Sequence, residues 1–284
     1  MKLGIFAKTF QRPTLEETLD AVAAHDLRQV QFNLACAGLP TLPDQVEPAI
    51  CARIRDAFHL RDLNMAAISG TFNMIHPDLA QRHVEFARLR VLAEAAPNLG
   101  TNVITLCTGT RDPENMWAAH PENHTESAWN DLLHSMEKAL GIAEKTRVTL
   151  AVEPEVANIA SSATKARKLL DHFRSPRLKI VIDPANLFPA GRLPGMREII
   201  AEAFQLLGKD IILAHAKDLS GDGHAGHEAA GTGLLDYDFY LEQLRQINYD
   251  GPLILHSLAE NQVNSCVQFL EQKLSRLGAG VTTH

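Results

Sequence analysis

Four residues of the types that bind divalent metals stand at the ends of short apolar runs in the second half of the sequence. The runs LAVEPE, IVIDPAN, ILAHAKD and LILHSL contain Glu153, Asp183, His215 and His256. Carboxylate and imidazole ligands together suit Mn²⁺, Fe²⁺, Co²⁺, Ni²⁺ or Zn²⁺. Such an ion polarises a sugar carbonyl, so that a neighbouring carboxylate can remove a proton from the adjacent carbon and give an enediolate. This chemistry serves isomerisation, epimerisation or dehydration.

Each of the four residues also has a structural interpretation. Glu153 could pair with a cation, Asp183 could cap the turn before Pro184, and either histidine could be packed among apolar neighbours. The presence of ionisable groups at the ends of four successive strands is harder to explain by chance than any one of them alone. The interpretation as a metal site requires that the elements of the fold bring the four strand ends together.

Eight short β-rich runs alternate with amphipathic helical stretches along the whole chain. The runs are residues 3–6, 30–32, 65–69, 103–107, 148–153, 178–183, 211–215 and 253–256. The helical stretches begin at Thr14 and then lie near residues 46–62, 78–96, 125–146, 161–173, 195–208, 237–247 and 261–277. Several runs are continuously apolar, as expected of parallel strands covered on both faces.

Eight strand-helix units of about 35 residues each are what a (β/α)8 TIM barrel requires. A doubly wound sheet is the alternative, but no G-x-G-x-x-G follows the first run. We therefore expect an α/β protein with a single TIM-barrel domain over residues 1–284 and a mobile tail after about residue 277. In a barrel the carboxyl ends of the strands converge on one mouth, where the four residues can meet.

Long polar segments follow four of the strands, at residues 33–45, 70–77, 108–124 and 216–235. Loops after barrel strands build the active-site face, so these segments are expected to carry substrate contacts. Asn73 and His76 could bond sugar hydroxyls, although His76 could instead cap the next helix. Arg111 could grip a phosphate or carboxylate, or could pack within its loop.

The order of motifs VEPE, IDPAN, HAKD, GTGLLDYDFYLEQL and GPLIL resembles the sugar phosphate isomerase/epimerase family of xylose-isomerase-like barrels. Ketose 3-epimerases and inosose dehydratases belong to this family, and endonuclease IV is a distant relative. The similarity spans nearly the whole chain and is strongest from residue 148 onward. It implies that Glu153, Asp183 and His215 are metal ligands on successive strands, and that Glu153 also moves a proton.

His256 departs from the pattern of the family that the chain resembles. Ketose epimerases of this kind carry a second glutamate on the last strand, as a metal ligand and as the partner base. Here LILHSL supplies an imidazole as the fourth ligand and second catalytic group. The ligand set then carries a charge of about −2 instead of about −3, which moves the expected metal preference away from Mg²⁺ and toward Mn²⁺, Co²⁺, Fe²⁺, Ni²⁺ or Zn²⁺.

Other polar residues near the predicted mouth are candidates for substrate contacts. Glu155 lies two residues past Glu153 and is a candidate for the missing proton carrier; Glu260 is another, although a carboxylate at a helix start is its better interpretation. Asn186 stands where many relatives have a histidine. Lys217 could hold a substrate oxygen or pair with Asp218.

The composition excludes several classes of protein. A net charge of −7 argues against a nucleic-acid surface, and no apolar run approaches the length of a membrane span. The N-terminus turns polar too early for a secretory signal, and the four cysteines form no C-x-x-C pair, so we expect a cytoplasmic protein with reduced thiols. The sequence leaves open whether the chain forms a homo-oligomer.

The function expected from these features is a metal-dependent carbohydrate isomerase or epimerase acting on a ketose, a sugar acid or a sugar phosphate. An inosose-type dehydratase would use the same metal and the same proton abstraction. A non-catalytic barrel that binds sugar or metal is a further alternative, prompted by the missing second glutamate. A phosphodiesterase like endonuclease IV would need about three zinc ions and more ligands than this chain offers.

Overall fold

Strands and helices alternate along the computed structural model, which describes residues 1–279. The strands are β1 (Lys2–Phe6), β2 (Gln29–Phe32), β3 (Asn64–Ser69), β4 (Val103–Leu106), β5 (Thr149–Val152), β6 (Leu178–Ile182), β7 (Ile211–Asp218), β8 (Glu228–Ala229) and β9 (Pro252–Leu255). The helices are α1 (Leu15–Ala23), α2 (Pro48–His59), α3 (Leu79–Leu99), α4 (Glu126–Thr146), α5 (Ala163–Phe173), α6 (Met196–Leu207), α7 (Tyr237–Gln246) and α8 (Val263–Ala279). Residues 280–284, which fall in the predicted mobile tail, lie outside the described residues.

Eight of the strands form a closed parallel barrel. The pairing runs in chain order from β1 to β7, β7 pairs with β9, and β9 closes the barrel against β1. The helices surround the strands and bury apolar side chains against them. This is the predicted (β/α)8 barrel, and the prediction is confirmed.

The barrel interior is filled by one inward-facing side chain from most strands. Ala67, Ala151, Val181, Leu213 and Ile254 form a separate apolar cluster inside the strands. Gly4 lies on the inner side of β1, where a Cβ atom would stand 2.7 Å from the Cδ1 atom of Ile254 and 2.2 Å from the Gln29 carbonyl oxygen. Gly4, Ala67 and Ala151 therefore let the strands close tightly around an apolar interior.

Two elements extend beyond the ends that the sequence predicts. β7 continues to Asp218, three residues beyond the predicted end, and pairs there with the short antiparallel β8. α3 continues through Pro97 to Leu99 and ends at Gly100, which has a φ of 108°. The extension of β7 depends on a partner that local sequence does not reveal, since β8 lies inside a segment with the composition of a polar loop.

Among the described residues, no helix combines the length and the apolar character that a membrane span requires.

Candidate metal centre

The four predicted ligands lie directly above the inner cluster of the barrel. Side chains in a strand alternate between its two faces, so a residue two positions past an inward-facing residue also points inward. Each ligand candidate stands two positions after a member of the inner cluster. The pairs are Ala151 and Glu153, Val181 and Asp183, Leu213 and His215, and Ile254 and His256. The alternation of the strands therefore brings all four to the carboxyl-terminal mouth of the barrel.

His215 lies between the two carboxylates. Its Nδ1 atom is 3.4 Å from Asp183 Oδ2 and 3.6 Å from Glu153 Oε1. Both His215 and Asp183 are almost completely buried. Nevertheless, neither His215 Nδ1 nor Asp183 Oδ2 has a hydrogen-bond partner. Buried polar atoms are normally paired, and unpaired ones that face each other are typical of a ligand site.

His256 completes a compact group of ligand atoms. One ligand atom each of Asp183, His215 and His256 lies within 4.8 Å of the other two. The His256 ring stacks on His215, with ring centroids 4.9 Å apart and planes 7° apart, and on Phe6 at 5.3 Å. Its Nδ1 atom contacts Ser257 Oγ at 2.9 Å, which leaves Nε2 as the nitrogen that is free to act.

The charges of the site shift the pKa values of its members in opposite directions. Burial lowers the pKa of His215, but the Glu153 and Asp183 carboxylates outweigh it and raise that pKa to about 9. Burial, reinforced by His215 and Lys217, holds the pKa of His256 well below its usual range. Burial raises the pKa of Asp183, but Lys217 and His215 outweigh it, so this carboxyl group stays ionised.

Asn186 and Lys217 connect the two carboxylates. Asn186 Nδ2 donates to Glu153 Oε1 at 2.6 Å, and Lys217 Nζ donates to Asn186 Oδ1 at 2.7 Å. Lys217 Nζ also lies 3.0 Å from Asp183 Oδ2, as an ion pair without the alignment of a hydrogen bond. Both residues are buried, so this chain of contacts fixes the position of Glu153 relative to Asp183.

Asp218 does not pair with Lys217, contrary to one of the two predicted roles of the lysine. Its carboxylate instead accepts backbone N–H groups of Leu219, Gly231 and Leu235 at 2.8 to 3.0 Å. Lys217 and Asp218 are neighbours in an extended strand and therefore point to opposite sides. A Cβ atom at Gly233 would stand 2.4 Å from Asp218 Oδ1, which explains why the sequence has GTG at this point.

Glu155 lies close to the metal-ligand candidates. Its side chain is buried, and its Oε1 atom has no hydrogen-bond partner. Burial and the nearby charge of Glu153 raise the pKa of Glu155 to about 8. Glu260 has a different environment, because its partly exposed carboxylate forms an ion pair with Arg12. Glu155 and Glu260 were the two further candidates for a proton carrier, and only Glu155 lies near the charged residues at the mouth of the barrel.

The three candidates from the earlier loops are engaged in loop contacts. Asn73 Oδ1 accepts the Thr110 N–H at 3.0 Å, and its Nδ2 donates to the Asp112 carbonyl at 3.2 Å. Both ring nitrogens of His76 are occupied, by the Pro113 carbonyl oxygen and the Asp78 N–H. These contacts match the alternative of a capping role for His76.

Arg111 also points to a structural partner. Its guanidinium lies 2.7 Å from Asp131 Oδ2 on α4, and Arg82 reaches the same carboxylate at 3.2 Å. The Arg111 backbone N–H donates to Asn123 Oδ1 at 2.7 Å. The loop after β4 is therefore held against α4 through Arg111, which agrees with the alternative of loop packing.

Two buried side chains that were not predicted from the sequence as site residues form hydrogen bonds with His215. Gln31, on β2, contacts His215 Nε2 through Oε1 at 2.8 Å, and the Tyr240 hydroxyl donates to the His215 carbonyl at 2.9 Å. Gln31 interrupts the run QVQF, so a polar residue in a barrel strand was the available signal. Its partner is 184 residues away in sequence and becomes visible only when the barrel has closed.

The residues present fit a divalent transition metal. The donor set consists of carboxylate oxygens and imidazole nitrogens, which are the ligands of Mn²⁺, Fe²⁺, Co²⁺, Ni²⁺ and Zn²⁺ in proteins. The buried Asp183 Oδ2 and His215 Nδ1 atoms have no hydrogen-bond partner among the described residues and can serve as ligand atoms, with Lys217 beside Asp183 as the competing cation. The second ring nitrogen of His215 is already bonded to the protein, as is usual for a metal-binding histidine.

Fold and site together define a closed parallel α/β barrel with a candidate metal centre at the carboxyl ends of its strands. The chain belongs to the xylose isomerase-like TIM barrel family, whose family model matches residues 19–273. A comparison with curated protein sequences finds no match.

Solved structures share this fold at low sequence identity. A D-tagatose 3-epimerase-like protein is 16% identical with a TM-score of 0.80, and the match covers 99% of this chain and 100% of that chain. An L-ribulose 3-epimerase is 16% identical with a TM-score of 0.75 over 100% and 99% of the two chains. A probable 3-DHS dehydratase from Bacillus anthracis is 14% identical with a TM-score of 0.72 over 95% and 99%. At these identities the likeness establishes the fold.

Proposed function

We propose that the protein is a divalent-metal-dependent carbohydrate isomerase or epimerase that acts on a ketose, a sugar acid or a sugar phosphate. The observation that carries the proposal is the group of Asp183, His215 and His256 at the mouth of the barrel, in which the buried Asp183 Oδ2 and His215 Nδ1 atoms have no hydrogen-bond partner. Structurally similar chains include sugar epimerases and a dehydratase, which supports a sugar-modifying enzyme.

Glu153, Asp183, His215 and His256 would hold the ion. When bound, the ion supplies Lewis-acid polarisation of the substrate carbonyl. The two imidazoles favour Mn²⁺, Fe²⁺, Co²⁺, Ni²⁺ or Zn²⁺ over Mg²⁺, which prefers oxygen ligands.

Glu153 is the carboxylate that takes the proton from the carbon next to the carbonyl. Its side chain is 20% exposed at the mouth, whereas that of Asp183 is fully buried and inaccessible to a substrate. Asn186 donates to Glu153 Oε1 and holds the carboxylate in one orientation. A general base gains efficiency from such fixed positioning, because proton transfer requires a short and aligned approach.

The second proton carrier distinguishes this site from one with two catalytic glutamates. His256 has only Nε2 free, because Nδ1 contacts Ser257, so it acts either as a ligand or as a proton carrier in a given state. Glu155 is the other available group, since it is buried near Glu153 with Oε1 unpartnered. We assign the second proton transfer to His256 when its Nε2 faces the substrate, and to Glu155 when His256 is a ligand.

Dehydration is the second candidate reaction. Expulsion of a β-hydroxyl needs the same initial proton abstraction, but the proton is then delivered to the departing hydroxyl, which leaves as water when its C–O bond breaks, and not to the opposite face of the carbon. The absence of a second glutamate at the end of β9, where His256 stands, favours this outcome over a two-carboxylate epimerisation. The bound carbohydrate would contact Asn186, Lys217 and Glu155, while Asn73, His76 and Arg111 keep the surrounding loops in shape.

Metal analysis and proton exchange test the proposal together. The purified protein is expected to contain, or to take up, one transition metal per chain, and Asp183→Ala is expected to abolish this stoichiometry. In D₂O, a panel of ketoses and inososes is then screened by NMR for deuterium incorporation next to the carbonyl. Failure to bind any divalent ion would refute the catalytic metal, and metal binding without exchange in any sugar would favour the non-catalytic barrel.

A further inference from the structure

Gln31 is a buried amide inside the barrel next to the proposed metal centre. It lies in β2, where it pairs in register with Phe6 of β1, and its exposed fraction is only 4%. Gln29, two positions earlier, shares its inward orientation but lies at the opposite end of the strand and bonds Asn64. An amide in the barrel interior costs stability unless it is hydrogen-bonded, so its partner indicates its role.

The partner of Gln31 is the ring nitrogen of His215 that faces away from the carboxylates. Gln31 Oε1 lies 2.8 Å from His215 Nε2, while Nδ1 of the same ring faces Asp183 and Glu153. An amide oxygen only accepts hydrogen bonds, so Nε2 must carry a hydrogen. When the ring is neutral, the lone pair is then on Nδ1 and points toward the acidic residues.

The reverse orientation of the amide is incompatible with a metal on Nδ1 and with an imidazolium ring. An amide NH₂ group facing His215 would require a lone pair on Nε2 and would place the hydrogen on Nδ1, which excludes a metal from that atom. If the ring is an imidazolium, both nitrogens donate and an NH₂ group would oppose an N–H. Stacking on His256 and the bond from Tyr240 to the His215 carbonyl restrict the ring further.

We propose that Gln31 is a positioning residue that holds His215 as the Nε2–H tautomer and aims Nδ1 at the metal. The inference rests on the proposed metal centre. Partners of this kind raise the affinity of a histidine ligand by fixing its tautomer and orientation, and their loss typically costs about 10 to 100-fold in metal affinity.

Three substitutions separate positioning from packing. Gln31→Leu keeps most of the side-chain volume and removes the acceptor, whereas Gln31→Glu keeps an acceptor at the same reach. Gln29→Leu is the matched control, because it makes the same exchange in the same strand, away from His215. Zn²⁺ affinity measured by calorimetry is expected to fall about 10 to 100-fold in Gln31→Leu, to stay within a few-fold of the parent protein in Gln31→Glu, and to be unchanged in Gln29→Leu.

A spectroscopic measurement tests the inference without relying on metal binding. In protein labelled with ¹⁵N-histidine, the Nε2 hydrogen of His215 is expected to give a resonance protected from solvent exchange. This resonance should persist in Gln31→Glu and Gln29→Leu and disappear in Gln31→Leu. If Gln31→Leu does not fold, Gln31→Asn is used instead, because its shorter side chain withdraws the oxygen from Nε2.

The outcomes for Gln31 and for the proposed function are distinguishable. A parent protein that binds no Zn²⁺ but shows, at a pH above the His215 pKa of about 9, a protected Nε2 hydrogen and no hydrogen on Nδ1 contradicts the metal centre and leaves the tautomer assignment supported. Unchanged Zn²⁺ affinity in Gln31→Leu, or a hydrogen on Nδ1 instead of Nε2 in the zinc-loaded protein, overturns the positioning role.

Discussion

The two ring nitrogens of His215 have different surroundings, and this asymmetry decides what the ring can do. Nε2 contacts Gln31, and Nδ1 faces Asp183 and Glu153 without a hydrogen bond. A histidine that served only packing would have no reason to present a buried, unpartnered nitrogen to two carboxylates. At the scale of single residues, the mouth of the barrel therefore has the properties of a ligand site.

His256 is the residue whose substitution most directly tests the ligand set. His256→Ala is expected to lower the affinity for Zn²⁺ or Mn²⁺ by at least about 10-fold, because one of the three closely grouped ligands is lost. His224→Ala, which removes an exposed histidine, is the control and should leave the affinity unchanged. Calorimetric titration gives both values. Full metal binding by His256→Ala would show that this histidine is not a ligand.

The sequence predicted the residues at strand ends better than the contacts between them. Glu153, Asp183, His215 and His256 stand out because ionisable groups follow apolar runs. The pairing of Lys217 with Asp183, and not with Asp218, depends on which face of β7 each residue occupies. Because the predicted strand ended at His215, the alternation of faces could not be extended from the sequence to Lys217 and Asp218.

At the scale of elements, Asp218 organises the long segment that follows β7. Its carboxylate receives three backbone N–H groups, and those of Gly231 and Leu235 lie 13 and 17 residues further along the chain. These bonds tie both ends of the segment to β7 and place Gly226 against Asn186, whose Oδ1 accepts the Gly226 N–H at 3.2 Å. The segment thereby joins the wall of the proposed metal centre.

Asp218→Asn is expected to destabilise the fold by about 1 to 3 kcal/mol, because an amide NH₂ group would oppose one of the backbone donors and leave it unsatisfied. Asp238→Asn is the matched control, since that carboxylate is largely exposed and pairs only with Lys273. Urea unfolding measures both changes. Equal stability of the two variants would mean that the bonds to Asp218 contribute no more than an exposed ion pair.

A second acidic residue links elements at the opposite end of the barrel. Asp210, just before β7, bonds Lys179 on β6 and Arg167 on α5 at 2.7 and 2.9 Å. Burial raises the pKa of Asp210, but the two cations outweigh it, so the pKa lies below its usual value. A carboxyl group with a depressed pKa contributes stability above its unfolded-state pKa of about 3.9 and loses it as the pH falls through the folded-state value.

Asp210→Asn is accordingly expected to cost about 1 kcal/mol of unfolding free energy near neutral pH, with the difference vanishing in acid below the folded-state pKa. Asp171→Asn, which removes a more exposed carboxylate from the same Arg167, should cost less. Urea unfolding at about five pH values between pH 2 and 7 measures the free energy of unfolding of both variants as a function of pH. A loss that persists at the acid end would assign the effect to packing instead of charge.

The helices and strands were largely predictable, because their periodicities are local. Each of the eight predicted strands corresponds to a barrel strand, and each predicted helix to one of α1 to α8. The short β8 could not be predicted, since Glu228 and Ala229 form a strand only by pairing with Lys217 and Asp218. Its residues lie in a segment rich in glycine and polar side chains, which locally favours a loop.

At the scale of the whole molecule, one closed barrel carries the core and the proposed site together. The inner cluster of the barrel lies directly beneath the proposed metal ligands, so site and core share the same strands. Ligand binding to the folded state should therefore stabilise the entire chain, and we expect unfolding in a single transition. The number and order of the strand-helix units predicted this architecture. The contacts between side chains inside the barrel could not be predicted, because they join residues that are far apart in the sequence.

Metal addition is expected to raise the melting temperature. A ligand at 100 times its Kd stabilises the native state by about 2.7 kcal/mol, which corresponds to roughly 5 °C for a chain of this size. Scanning calorimetry with Zn²⁺ or Mn²⁺, and again after addition of EDTA, measures the shift and its reversal. Asp183→Ala is the control and should show no shift. A metal-induced shift that remains in this variant would place the ion elsewhere.

The stack formed by Phe6, His256 and His215 has a consequence for biosynthesis. Phe6 belongs to the first strand and His256 follows the last, and β1 and β9 lie side by side in the closed barrel. During translation β1 leaves the ribosome long before β9, so a nascent chain cannot assemble the stack until residues 252–256 have emerged. The proposed metal centre, which includes His256, would then form only on chains that contain both strands, and products truncated before β9 would lack it.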